Sequence, residues 1–193
     1  MNLLFFDTET TGLPKDFNAP ITDTDNWPRL VQLAWILTDE TGKELQRRND
    51  IAKPEDFEIP AEVTAVHGIT THRAQVNGIS LGWMLDHFEA SAQISGALVA
   101  HNITFDLNII GAELVRKGMF RPHEKTKTIC TMNSGVELCK LTGRYGKYKR
   151  PRLAELHEFL FGENFDNAHN AMADTEAMKR CFFEMVKRGV IKI

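Results

Sequence analysis

The chain opens on an apolar run that ends in acid. Asn2 to Asp7 spell NLLFFD and read as a buried strand. Because side chains alternate along a strand, Leu3, Phe5, Asp7 and Glu9 fall on one face. Two carboxylates therefore project together from the end of a core element, where they must be solvated, paired or bound to metal. Arg29 to Thr38 and Lys43 to Ile51 read as two further strands joined by a turn at Glu40, Thr41 and Gly42.

Helical spacing begins at Ser80, a candidate N-cap, and runs through Leu81, Met84, Leu85, Phe88 and Ala92. A short strand at Ala97 to Ala100 follows. Asn102 then starts a helix to about Lys117, ended by Gly118. Another strand is expected near Lys127 to Cys130, then helices near Arg152 to Phe161 and from about Asn170 to Arg188. Three strands followed by alternating helices and strands predict an α/β domain with a mixed sheet, antiparallel first and then parallel through helical crossovers. With 193 residues, one domain spanning 1–193 is expected. Pro14 to Pro28 lacks periodicity and reads as a long loop.

The apolar stretches are far short of the roughly 20 residues that span a bilayer, so a soluble cytoplasmic protein without a membrane partner is expected. Cys130, Cys139 and Cys181 are an odd set without C-x-x-C spacing, which reads as buried reduced thiols. The net charge of −3 hides an asymmetry: Leu114 to Arg152 carry eleven Lys or Arg against two Glu, and the first sixty residues twelve acids against six bases. A local basic stretch is what a polyanion would read.

Two helices repeat the anomaly of the first strand. Asp106 lies on the stripe of Ile103, Ile110 and Leu114, and Asp174 lies in line with Ala171, Met178, Cys181 and Met185. An ionised carboxylate in such a setting costs several kcal/mol, and no Lys or Arg shares those stripes. Taken singly, an acid near a helix N-terminus is more often a partner of the helix dipole. It is the recurrence in three segments that points to a divalent cation, with hard oxygen ligands favouring Mg²⁺ or Mn²⁺ over zinc. Four carboxylates suit two ions about 4 Å apart, the arrangement that clamps attacking and leaving oxygens in phosphodiester cleavage. His169 precedes Asp174 by five positions, about 140° apart on one helix. The two can meet only if His169 stays on the lead-in to the helix, where an imidazole could act as general base toward water.

The opening FDTETTGLP, the middle HNITFD and the late HNAMADT resemble, in order, the three motifs of the DEDDh (DnaQ-like) 3′–5′ exonucleases, the group that includes the proofreading epsilon subunit of bacterial DNA polymerase III. The H-x4-D spacing is similar to that of the histidine-type branch. The resemblance implies a ribonuclease H-like fold, Asp7, Glu9, Asp106 and Asp174 as ligands of two metal ions with Asp7 bridging, and His169 as general base. It implies substrate contacts from the same motifs: Thr8, Thr10, Gly12 and Leu13 at the 3′-terminal nucleotide, with Asn102 and Phe105 in the middle motif. The VHGIT segment, Val66 to Thr70, resembles a groove-lining element and makes His67 a site candidate, although a helix-ending His before Gly68 fits equally. Asn102 has two readings, helix cap or phosphate ligand, and the cap is favoured.

The implied substrate is a nucleic-acid 3′ end, with single-stranded DNA favoured and RNA trimming as the alternative. A DNA polymerase or clamp is the implied protein partner. Lys140 to Arg152, with six bases, two tyrosines and no acid, reads as a loop that could track a phosphate backbone or simply be solvated. A phosphatase of the haloacid-dehalogenase type is disfavoured by Glu9 and by the lack of a later acid cluster. A silent binding module is disfavoured because all five signature residues are present.

Overall fold

A computed structural model describes residues 1–119, 126–166 and 169–193. Arg121 and Lys125 of the basic stretch lie outside the described residues. Five strands, β1 (Leu3–Thr10), β2 (Leu30–Thr38), β3 (Glu44–Ile51), β4 (Ala97–Ala100) and β5 (Lys127–Cys130), form one sheet in the order β3–β2–β1–β4–β5. β1 pairs antiparallel with β2 and β2 with β3, whereas β1, β4 and β5 run parallel. This is the mixed sheet expected from the element pattern.

The first strand is central, hydrogen-bonded on both sides, which is why its apolar run is continuous. Its alternate residues feed two layers. Leu4 and Phe6 join Trp35, Phe88, Ile110 and Leu114 beneath α3 (Leu81–Gln93) and α4 (Ile103–Arg116). Leu3 and Phe5 join Leu156, Met178, Cys181 and Phe182 beneath α7 (Leu153–Phe161) and α8 (Ala171–Lys187). Edge-on ring contacts, Phe6 to Phe88 and Phe5 to Phe182, each with centroids 5.1 Å apart, fix β1 against both layers. Truncating either partner helix ring to Ala would cost about 3–5 kcal/mol.

Three short helices had no forecast, α2 (Thr71–Asn77), α5 (Thr131–Ser134) and α6 (Val136–Cys139), and of α1 (Ala61–His67) only the ending at His67 before Gly68 was read. One or two turns are too brief for a periodic apolar stripe to stand out. β1 also runs three residues beyond the expected Asp7, to Thr10, because Thr8 and Glu9 continue the pairing onto Leu33 and Gln32 before a bulge at Thr10. Asp7 and Glu9 thus both belong to the sheet. Residues 14–28 form no helix or strand, yet Asn26 ties the loop to Asp16 through two hydrogen bonds and Trp27 is buried. The three cysteines are free thiols, and among the described residues no helix is long and apolar enough to cross a membrane.

Candidate active site

Asp7 and Glu9 continue the face on which Leu3 and Phe5 pack against α8, so they arrive beside the start of that helix. Asn170 caps it, its side-chain oxygen accepting from the Met172 and Ala173 amides at 3.2 and 3.3 Å. Gln32, paired with Glu9 across β1 and β2, accepts from the Ala171 amide at 3.4 Å and pins the helix start to the sheet. Asp174 then falls in the first turn. One oxygen from each of Asp7, Glu9 and Asp174 lies within 4.8 Å of the others.

Asp106 comes from the opposite layer, in the first turn of α4. It is not in that three-oxygen group. Its Oδ1 accepts from the Thr8 amide at 3.1 Å and from the Thr8 hydroxyl at 2.7 Å, which holds it against the far side of the same strand. The four acids therefore reach the C-terminal end of β1 from both faces of the sheet, the location where open α/β sheets place ligands.

Among the described residues, no Lys or Arg makes an ion pair with any of the four. Burial, reinforced by Asp106, Asp174 and Glu9, drives the Asp7 carboxyl well above the usual range. Burial, reinforced by Asp174 and Asp106, pushes Glu9 to about 8. Burial also raises Asp106 to about 7 against the Thr8 hydrogen bonds, and Asp174 to about 6 against the His169 amide and ring. Four repelling oxygen donors without a cation make a donor set suited to hard divalent ions.

His169 stands on the lead-in, exposed and left-handed at φ 67°, with its amide donating to Asp174 Oδ2 at 3.1 Å. The conformation carries the ring off the helical stripe while keeping the residue tied to Asp174. The imidazole borders a pocket of about 550 Å³ that also includes His67, Asn170 and Met172.

A smaller, mostly apolar hollow of about 150 Å³ opens beside Glu9, lined by Thr10, Gly12, Leu13, Val63, Val66 and His67. Leu13 is 73% exposed there, an apolar surface held in water next to four acids. The Thr10 hydroxyl is turned inward, donating to the Gly12 carbonyl at 2.6 Å, and Gly12 takes φ 150°, so the turn that carries Leu13 is locked locally. His67 ends α1, and its buried Nδ1 accepts from the Ile69 amide at 3.1 Å. Burial lowers its pKa, with the Thr10 backbone opposing and Arg73 assisting, which favours a neutral ring.

Two expectations change. Thr8 is buried and hydrogen-bonded to Asp106, so it positions a carboxylate where a substrate contact was expected. Asn102 stands at the N-cap of α4 but is left-handed (φ 76°), and its side chain makes no cap bond. A cap needs extended backbone to swing its oxygen back to the first turn. Instead Asn102 lines a third pocket, of about 260 Å³, with Phe17, Trp27, Phe105, Asn108 and Arg150. Sequence reasoning overlooked Gln32, although a lone amide inside LVQLAWILT was a visible signal.

Residues 4–182 match the family model for RNase T-type exonucleases. The chain belongs to this exonuclease family. Members are hydrolytic nucleases that depend on divalent metal ions. The chain is 29% identical over 187 residues to the PolC-type DNA polymerase III of Streptococcus pneumoniae, and 30% over 187 residues to that of Streptococcus sanguinis. Each match covers 94% of this chain but 11% of the polymerase, so the chain spans about a tenth of these relatives' length. The chain also superposes on Escherichia coli exonuclease I in complex with a dA16 oligonucleotide, with TM-score 0.75 at 20% identity, over 97% of this chain and 41% of that one. A product-bound exonuclease I gives TM-score 0.74 at 17% identity, over 96% and 43%. These structures share the ribonuclease H-like sheet and flanking helices described above.

Proposed function

We propose that residues 1–193 act as one exonuclease domain that removes nucleotides from the 3′ end of single-stranded DNA in the cytoplasm. The observation that carries this reading is the group of Asp7, Glu9 and Asp174 oxygens within 4.8 Å, uncompensated by any cation among the described residues and bordered by the Leu13 hollow. Similarity to a polymerase and to an oligonucleotide-bound exonuclease supports DNA over RNA.

In this reading Asp7, Glu9, Asp106 and Asp174 would together hold two Mg²⁺ or Mn²⁺ ions. Bound there, two divalent ions would polarise the phosphodiester and ease ionisation of the attacking water. Thr8 keeps Asp106 facing the site. His169 accepts the proton of the water at an imidazole nitrogen, and the Asp174 bond to its amide sets where that ring starts from. Leu13, Val63 and Val66 receive the terminal base by apolar contact, which tolerates any sequence, while the Gly12 turn and the neutral His67 ring bound the sugar. A polymerase or clamp partner is proposed from the polymerase relatives alone.

The test is a product ladder. The protein and an Asp7→Ala control are incubated with 5′-labelled DNA and RNA of one sequence, with Mg²⁺, Mn²⁺ or EDTA. Stepwise shortening from the 3′ end, faster on DNA, metal-dependent and lost in the control, is the expected result. Faster RNA shortening would reassign the substrate, and no cleavage with either metal would sink the reading.

A further inference from the structure

The site just described is built around the 3′-terminal nucleotide, so the strand upstream of it needs a hold elsewhere. We infer that residues 140–152 form a basic hairpin that grips the single strand upstream of its 3′ end, an inference that rests on the exonuclease reading for what enters the cleft. The segment is built as a hairpin: Thr142 bridges Tyr148, the Gly143 amide donates to the Lys147 carbonyl at 2.9 Å, and the Lys149 amide to the Leu141 carbonyl at 3.0 Å. A Cβ on Gly143 would lie 2.5 Å from the Lys147 carbonyl oxygen, so this close crossing requires glycine.

Its root is fixed to the catalytic side of the fold. His101, at the end of β4, contacts the Thr131 hydroxyl through Nδ1 and the Pro151 carbonyl through Nε2, both at 3.0 Å. Pro151 is the neighbour of Arg150, and Arg150 lines the same pocket as Asn102 and Phe105, the residue before Asp106. The inference requires the strand to leave the carboxylates by way of that pocket, past Arg150 and then along the hairpin.

The hairpin has what such a strand needs. On a chain of net charge −3 it concentrates six cations and no acid. Lys149 is paired with Glu155, whereas Lys140, Arg144, Lys147, Arg150 and Arg152 make no ion pair among the described residues. At the tip, Tyr145 is 97% exposed and held left-handed at φ 56°, and Tyr148 is 45% exposed. Cations that track phosphates beside aromatic rings open to stacking are the two elements of sequence-tolerant single-strand binding. An acidic protein could use the cations, but the exposed tyrosine rings beside them suit stacking bases.

The experiment is fluorescence anisotropy with 5′-labelled dT3 and dT20 in EDTA, so that nothing is cleaved. Arg144→Ala/Tyr145→Ala/Lys147→Ala is expected to weaken dT20 binding about tenfold, leave dT3 unchanged, and flatten the log Kd against log salt slope by about 1.4 for the two lost cations. Arg144→Gln/Lys147→Gln should reproduce the salt effect if the triple variant folds poorly. A charge-matched control far from the hairpin, Lys187→Ala/Lys192→Ala, should change nothing. Equal loss on dT3 and dT20, no loss on either, or tighter binding of a polyglutamate peptide than of dT20 would overturn the inference. The reading beneath it fails separately: wild-type protein that binds dT20 through the hairpin yet shortens nothing with Mg²⁺ or Mn²⁺ would leave the hairpin standing and remove the exonuclease.

Discussion

Asp106 and Glu113 are buried carboxylates two turns apart on the same face of α4, and the fold treats them in opposite ways. Glu113 has no exposed surface, and its Oε1 takes the Arg29 guanidinium and the Leu30 amide at 2.9 Å and Arg116 at 3.1 Å. Asp106 has the Thr8 donors but no cation, and it faces Asp7, whose carboxyl it helps to push up. The first arrangement ties α4 to the start of β2 and has its charge compensated within the protein, although Glu113 Oε2 accepts no hydrogen bond among the described residues. The second is incomplete within the protein, and that incompleteness is what separates a site from a structural ion pair.

The largest expected effect lies on the incomplete side. Asp7→Asn removes a charge shared by the whole cluster, so strand shortening should fall by at least about a thousandfold, roughly 4 kcal/mol of transition-state stabilisation. The same change relieves repulsion, so the metal-free protein should melt no lower than wild type. A variant that lost activity by unfolding would contradict the comparison.

Glu113→Gln should do the reverse. Leaving two guanidinium groups around a neutral amide should cost about 3 kcal/mol of stability. For a chain of this length that corresponds to a melting point lower by about 6–12 °C, while the folded fraction keeps its activity. Equal activity losses in both variants would erase the distinction drawn between the two acids.

Acidity sharpens it further. Carboxyls of the unfolded chain titrate near 4, whereas folding raises Glu9 to about 8 and Asp174 to about 6. The folded state therefore holds more protons than the unfolded one across this window, and stability falls as pH rises from about 4 toward 8. In EDTA the melting point should drop between pH 5 and pH 8. Mg²⁺ or Mn²⁺ should restore it, more strongly at pH 8, because metal and proton compete for the same oxygens. A metal-free melting point that climbs over this range would overturn the assignment of these shifts.

Much of this contrast was open to the sequence. Asp7, Glu9, Asp106 and Asp174 were visible because each interrupts an apolar stripe with a period fixed by its own element. The same rule could not find Glu113's partners, since Arg29 lies 84 residues away and becomes a neighbour only when α4 docks on β2. Nor could it orient Asn102. A cap residue and a left-handed residue share the same letters, and the φ of 76° depends on how β4 hands the chain to α4. The short helix α1, which brings Val63, Val66 and His67 to the Leu13 turn, was legible only in its ending at His67 and Gly68, because seven residues complete two turns and display no stripe. What a sequence spells locally is legible. What it acquires from docking is not.

Thr8 belongs to that second kind, and it supports the smallest effect. Its hydroxyl and amide both bond Asp106 and pull the carboxyl toward ionisation against burial, which still holds it near 7. Thr8→Val keeps the shape and the amide but deletes the hydroxyl. The Asp106 pKa should then rise, so that at pH 7 a smaller share of molecules presents the fourth carboxylate. Partners that orient ligands in this way are typically worth about tenfold or more in metal affinity or activity. Activity should therefore fall about tenfold at pH 7 and recover part of that at pH 8.5, where deprotonation no longer needs the hydroxyl's help. A loss that is the same at both pH values would mean that Thr8 acts by packing alone, and Asp106 would then resemble Glu113 more closely than the comparison allows.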